Sequence, residues 1–245
     1  MKTKKRQLLR KKMTYISFFL FPATFVYFSP YVIVDASAKG IICGSFFMFS
    51  LLFLSALVFG RAFCGWLCGL GGAQDMLSPL TNKHVRKGNR IKWFIWVPWI
   101  VSIIVVAIRQ GGYDSIDPIY RTTHGFSLGS IYTAIAYLAV LALVWGSFFV
   151  SGRRSFCHHF CWIAPFMILG TWVRNSLKLP SLKLHKTKND CVNCHLCTKN
   201  CPMSLDVEHM VLNSKMENTE CILCGSCADV CGKECIQLKF KINPN

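Results

Sequence analysis

Uncharged, largely apolar residues run in four blocks, and the charged residues are gathered between them. The uncharged runs are Met13–Val34, Gly40–Gly60, Trp93–Ile108 and Thr122–Gly152, the last broken only by His124. Crossing about 30 Å of hydrocarbon takes about 20 helical residues, so the pattern predicts four transmembrane helices. The third run is the shortest, and its flanking Lys92 and Arg109 can snorkel to the membrane edge. Runs of this length exceed what helices in a soluble core use. No small-residue cleavage site lies between the first run and the second, so the first reads as a retained anchor.

Charge then orients the chain. The net charge is +17, but it is not a nucleic-acid surface, because the basic residues alternate with the apolar blocks. Lys2, Lys4, Lys5, Arg6, Arg10, Lys11 and Lys12 precede the first block; further Lys and Arg crowd residues 61–92 and 151–189. The intervening turns carry only Lys39 on one side, and Arg109 and Arg121 balanced by Asp114 and Asp117 on the other. This positive-inside alternation predicts a multi-pass protein of the cell (inner) membrane with both termini in the cytoplasm. From Asp190 onward acids outnumber bases.

The chain has 14 cysteines. In a reducing cytoplasm they read as metal ligands or redox groups rather than disulfides. Residues 191–202 read CVNCHLCTKNCP and residues 221–231 read CILCGSCADVC, the same spacing twice. Three closely spaced thiolates bind three irons of a cubane, and the fourth cysteine of each run reaches the other cluster. Cys191, Cys194, Cys197 and Cys231 are therefore assigned to one [4Fe–4S] cluster, and Cys221, Cys224, Cys227 and Cys201 to a second. Structural zinc would use cysteines in two pairs per ion. Gly232 stands where proline is usual after the fourth cysteine and predicts a looser turn; Cys235 reads as packing, with a ligand exchange against Cys231 as the alternative. The CVNCH segment also matches a haem c attachment pattern, but it is embedded in the cysteine ladder and lies on the cytoplasmic side.

A second duplication lies at the cytoplasmic ends of the second and fourth blocks. RAFCGWLC (61–68) and RSFCHHFC (154–161) share the form Arg-x-Phe-Cys-x-x-x-Cys. Each is followed by an apolar tail too short to span, expected in the membrane interface. Two hairpins side by side would bring Cys64, Cys68, Cys157 and Cys161 together as a shared redox or metal site, a third iron–sulfur or metal centre. Separate redox thiols and a partner surface are the competing readings. Arg61 and Arg154 are expected as interface anchors that favour thiolate. His158 and His159 are candidate proton acceptors for quinol, and Asp75 is expected to pair with a neighbouring Arg or Lys.

Four helices, two such edge motifs and a two-cluster tail resemble the NapH/NosR-type membrane-bound 4Fe–4S ferredoxins (polyferredoxins) over nearly the whole chain. Gly69 and Trp162 replace the proline that follows the family's edge motif, and the extra outer domain of NosR-like members is missing. The resemblance implies electron transfer between the quinone pool and iron–sulfur or periplasmic partners. The expected architecture is an all-α membrane domain over residues 1–180, with four transmembrane helices in two hairpins, and a cytoplasmic α+β two-cluster ferredoxin-like domain over 181–245. Its expected function is iron–sulfur electron transfer between cytoplasmic donors or acceptors and a membrane partner or quinone, with membrane lipid around it. No nucleotide fingerprint, nucleophilic triad or flavin motif is present, so an electron-transfer subunit fits better than a stand-alone enzyme. A quinol dehydrogenase subunit is the alternative, with a redox-sensing or assembly protein behind it.

Overall fold

The computed structural model describes residues 2–81, 83–85, 89–187 and 189–241, the first three and the last of these by backbone only. Arg86, Lys87 and Lys188 of the charge pattern, and residues 242–245 of the expected tail domain, lie outside them.

Helix α1 (Lys2–Thr24) starts inside the basic segment rather than after it. After a 3₁₀ turn at Phe25–Phe28, α2 (Pro30–Ser37) begins on a Ser29 cap, with Pro30 at a position that needs no amide partner. Together they make a 33-residue candidate span, Lys5–Ser37, apolar beyond its basic first turns. The chain turns through β1 (Ile41–Cys43) into α3 (Gly44–Phe59), which has 16 residues. At 1.5 Å per residue α3 is about 24 Å long. Two short helices follow, α4 (Ala62–Trp66) and α5 (Gly69–Leu77). Then come α6 (Ile91–Gln110), β2 (Ser115–Asp117), which pairs in parallel with β1, and α7 (Ile131–Ser151). A capping box of Ser130 and Thr133 starts α7. Helices α8 (Ser155–His159) and α9 (Ala164–Ser176) repeat the short pair after the second edge motif.

Among the described residues three stretches are thus long and apolar enough to cross a membrane, Lys5–Ser37, α6 and α7, with α3 as a shorter apolar helix. Large apolar side chains point outward on the long helices, among them Phe94 (78% exposed) and Tyr132 (80%). Exposed apolar faces of this kind mark membrane or protein-interaction surfaces.

Helix α5 packs on α1 and α7, while α9 packs on α3 and α6. The tails after the edge motifs, expected to lie in or dip into the membrane interface, pack against the other helices; Gly69–Asp75 and most of α9 are buried within the protein. The glycines of GLGGAQDML make this possible: a Cβ at Gly72 would stand 2.3 Å from the Thr14 carbonyl, and one at Gly69 2.9 Å from that of Ser17. Side chains this small let two helices approach backbone to backbone.

The tail is α+β. Strand β3 (Ser181–Lys186) pairs antiparallel with β4 (Ile236–Lys241), closing the domain from its two ends. Between them lie α10 (Leu196–Lys199), α11 (Val207–Leu212) and α12 (Ser226–Asp229).

Candidate metal centres

The two cysteine runs fold alike. Left-handed residues recur at matching places, Asn193 and Leu223, His195 and Gly225, Ser204 and Glu234. The turn after the fourth cysteine is the same in both, Ser204 N–H to Cys201 O at 3.1 Å and Glu234 N–H to Cys231 O at 3.0 Å. Gly232 does not loosen it, because the amide–carbonyl bond closes the turn without the proline ring.

Cys191, Cys194, Cys197 and Cys231 line one cavity of about 350 Å³, together with Cys235, His195 and Glu208. Cys201, Cys221, Cys224 and Cys227 line a second, tighter one of about 20 Å³, walled by Leu184, Met203, Met210 and Ile222. In both, the fourth cysteine of one run lies with the first three of the other. Burial, with Cys224 adding to it, pushes the Cys221 thiol up to about 12 and Cys201 up to about 11. Thiols so placed become thiolates against a cationic centre, so a donor set of four grouped thiols fits a cluster by its chemistry. Cys235 accepts no such role in the geometry: its Sγ donates to Asp190 O at 3.2 Å and its N–H to Cys231 Sγ at 3.3 Å. The first cavity opens to solvent, with Cys194, Val192 and Leu196 exposed. His195 beside it pairs with the buried Glu208.

The edge motifs also fold as copies. Cys68 N–H bonds Phe63 O at 3.0 Å, and Cys161 N–H bonds Phe156 O at 2.9 Å. All four edge thiols are buried. They form one electrostatic group. Burial, then Cys64 and Cys157, pushes Cys68 up to about 12; burial, then Cys157, Cys68 and Cys64, pushes Cys161 well above the ordinary thiol value. Cys157 also stands above it through burial and Cys64, although Arg154 and Arg61 pull it down. Among the described residues no three His, Cys, Asp or Glu side chains converge tightly enough for a single metal ion.

Arg61 (1% exposed) and Arg154 (2%) lie inside the protein, Arg154 paired with the buried Asp75 and Arg61 with the half-buried Glu220. Arg154 holds Asp75 at 2.6 and 2.9 Å and donates Nη1–H to Cys64 O at 2.7 Å. Arg10 reaches the same carboxylate at 2.9 Å. Burial alone would raise the Asp75 carboxyl, but Arg154 and then Arg10 bring it below its ordinary value. Arg61 pairs with Glu220 at 2.5 Å, and Lys92 joins at 2.6 Å. His158 and His159 are buried. The Nδ1 of His158 meets Asn89 Oδ1, burial lowers its pKa to about 4, and Nε2 has no partner among the described residues.

The tail docks on the edge motif through its second cysteine loop. Trp66 donates its indole N–H to Leu223 O at 3.1 Å, Gln7 its amide to Cys224 O at 2.9 Å, and Arg6 its guanidinium to Gly225 O at 3.2 Å. Arg6 also pairs with Asp229 at 2.5 Å. Sequence reasoning missed Glu220, Gln7 and Trp66 as docking residues; the one legible signal was an acid directly before Cys221, facing a strongly basic partner domain.

Residues 43–88 and 132–180, which contain both edge motifs, match the family described as a 4Fe-4S binding domain. Residues 183–232 match a 4Fe-4S dicluster domain. A protein of Methanocaldococcus jannaschii is 27% identical over 96% of this chain and 97% of its own length. The ferredoxin-type protein NapH of Haemophilus influenzae is 22% identical over 77% of this chain and 65% of its own. The regulatory protein NosR of Pseudomonas aeruginosa is 23% identical over 74% of this chain but only 25% of its own. The chain thus spans less than two thirds of these last two relatives. No solved structure matches it. With both cysteine systems inside 4Fe-4S families and with NapH and NosR among its relatives, the chain belongs to the NapH/NosR-type 4Fe-4S ferredoxin family.

Proposed function

We propose that this protein is a membrane relay in which a docked two-cluster ferredoxin domain and a third centre, shared by the two edge motifs, connect a soluble redox partner with the membrane. The observation that carries the reading is the docking itself: the loop of Cys221 and Cys224 rests on the helix of Cys64, with Trp66 and Gln7 holding its carbonyls. When bound, the clusters supply one-electron carriage. Cys191, Cys194, Cys197 and Cys231 hold the outward cluster, where exposed Val192 and Leu196 offer a surface to the partner. Cys201, Cys221, Cys224 and Cys227 hold the inward one. Cys64, Cys68, Cys157 and Cys161 each give one thiolate to the third, and the burial of all four excludes water from it. Helix α3 completes a fourth crossing, both termini lie in the cytoplasm, and a membrane partner or the quinone pool stands at the far end.

Iron and sulfide counting with EPR on anaerobically purified protein tests this. Three cluster signals are expected. Cys64→Ala and Cys157→Ala should each remove the same one and spare the other two, and the double variant should remove no more. Additive losses would mean two separate thiol sites, and unchanged iron in both variants would remove the third centre from the reading.

A further inference from the structure

The two edge arginines occupy equivalent places, three residues before the first cysteine of each motif, yet they are used differently. Arg154 spends its guanidinium fully: Nε and Nη2 go to Asp75 and Nη1 to Cys64 O. Arg61 commits only Nη1, to Glu220 at 2.5 Å and Thr219 O at 3.5 Å. Its Nε and Nη2 are buried and have no acceptor among the described residues. Leaving a buried donor unpaired is unfavourable, and more so when the group is charged. A fold that positions one guanidinium edge with Glu220 and leaves the other bare has a place for a further acceptor.

The surroundings say what kind. Arg61 directly precedes α4, which carries Cys64. Burial acts against its charge, and Cys64, Glu220 and Cys157 act for it, so one cysteine of each edge motif bears on it. Glu220 is already engaged. Glu217, which lines a pocket with Arg61, is held by Lys183, and the other charges that act for Arg61 are Cys64 and Cys157, so sulfurs of the edge centre are the acceptors that fit.

We propose that Arg61 donates its free Nε–H and Nη2–H to sulfur atoms of the edge centre and thereby sets that centre's reduction potential. This rests on the reading that the four edge cysteines hold an iron–sulfur centre. Reduction adds one negative charge to the centre, and a cationic donor in a dry site favours that charge, so Arg61 raises the potential. Arg61 is a positioning and tuning residue. Because the same guanidinium holds Glu220, next to Cys221 of the inward cluster, it also places a fixed positive charge between the two centres.

Redox titration followed by EPR on the full chain, purified anaerobically, tests the proposal with Arg61→Gln, Arg61→Lys and Glu220→Gln. Arg61→Gln should lower the potential of the edge signal, and Arg61→Lys should lower it less, because the charge stays while the forked donors go. Glu220→Gln should raise it, since a nearby negative charge is removed. A role confined to holding the tail domain would make Arg61→Gln and Glu220→Gln shift the signal in the same direction, which would overturn the proposal. So would an edge signal present at an unchanged potential in both Arg61 variants. If wild-type protein has no third signal, the shared centre fails and the proposal with it; a third signal lost in Cys64→Ala but indifferent to Arg61 sinks the proposal alone. Should Arg61→Gln not fold, Arg61→Lys against Glu220→Gln still decides the sign.

Discussion

Gly65 faces Ile222 so closely that a Cβ on the glycine would stand 2.3 Å from the Ile222 carbonyl oxygen. This contact lies between Cys64 and Trp66 on one side and Cys221 and Leu223 on the other, so it sets the separation of the edge motif from the inward cysteine loop. Backbone oxygen cannot swing aside as a side chain can, so Gly65→Ala should push the two apart, at a cost of about 1–3 kcal/mol typical of overpacking. Iron content of the tail should be unchanged, electron exchange between tail and edge centre should slow, and proteolysis should separate the tail more readily. Gly146→Ala is the control, since nothing lies within 4 Å of the added atom. Equal exchange rates in the two variants would count against the docking.

Asp75 is the shared partner of two buried arginines, Arg154 at 2.6 Å and Arg10 at 2.9 Å. Asp75→Asn leaves both cations without a counter-charge, and breaking a buried pair in this way costs about 3–5 kcal/mol. The pH dependence follows from the sign of the shift. The Asp75 carboxyl lies below its ordinary value in the folded protein. Its stabilising share is therefore complete above the unfolded value of about 3.9 and is lost as pH falls through the lower folded value. The melting-temperature gap between wild type and Asp75→Asn in detergent should be constant from neutral pH down to about 4 and close below it. Using the gap cancels the acid lability that both proteins share.

Much of this was legible from spacing alone. The cysteine ladders and the paired edge motifs need only local sequence, because each is a turn of fixed length repeated twice, and the two cavities group Cys201 and Cys231 with the opposite run as the spacing suggests. The burial of Arg61 and Arg154 was not legible, since it depends on Asp75 and Glu220, one distant in sequence from Arg154 and the other in the tail. Nor was the placement of the short tails: apolar periodicity cannot tell a helix lying on lipid from one packed inside, and the glycines at 69, 71 and 72 acquire meaning only beside Thr14, Ser17 and Arg154. The basic start of the chain read as a flank to the first span, but Arg6 and Gln7 continue the helix and hold the tail domain.

Orientation is tested from outside the protein. The charge alternation predicts that the tail faces the cytoplasm, and Arg6 and Gln7 near the chain start bind that tail directly, so both must lie on one side. Reporter fusions after Asn245 and before Lys2 should behave alike and be active in the cytoplasm. Opposite behaviour of the two would contradict both the docking and the topology.

The last prediction separates Cys231 from Cys235, which lie four residues apart and line the same cavity. Exchange of the two as ligand was the alternative raised by their spacing. The geometry favours Cys231. It has the position of Cys201 in the other run, with the same turn after it, whereas the Cys235 thiol donates to Asp190 O at 3.2 Å and sits beside β4. A thiol bound to iron is deprotonated and has no hydrogen to donate. Cys231→Ala should therefore remove one cluster's iron and its EPR signal, and Cys235→Ala should keep the full iron content. In Cys235→Ala the carbonyl of the exposed Asp190 exchanges its thiol donor for water and Cys231 Sγ keeps the backbone N–H, so a loss of only about 1 kcal/mol in stability is expected. Cys201→Ala should remove the other, inward cluster, giving a signal loss distinct from that of Cys231→Ala. If Cys235→Ala lost iron while Cys231→Ala did not, the ligand would be Cys235, and the repeated turn would be a structural echo without a role in binding.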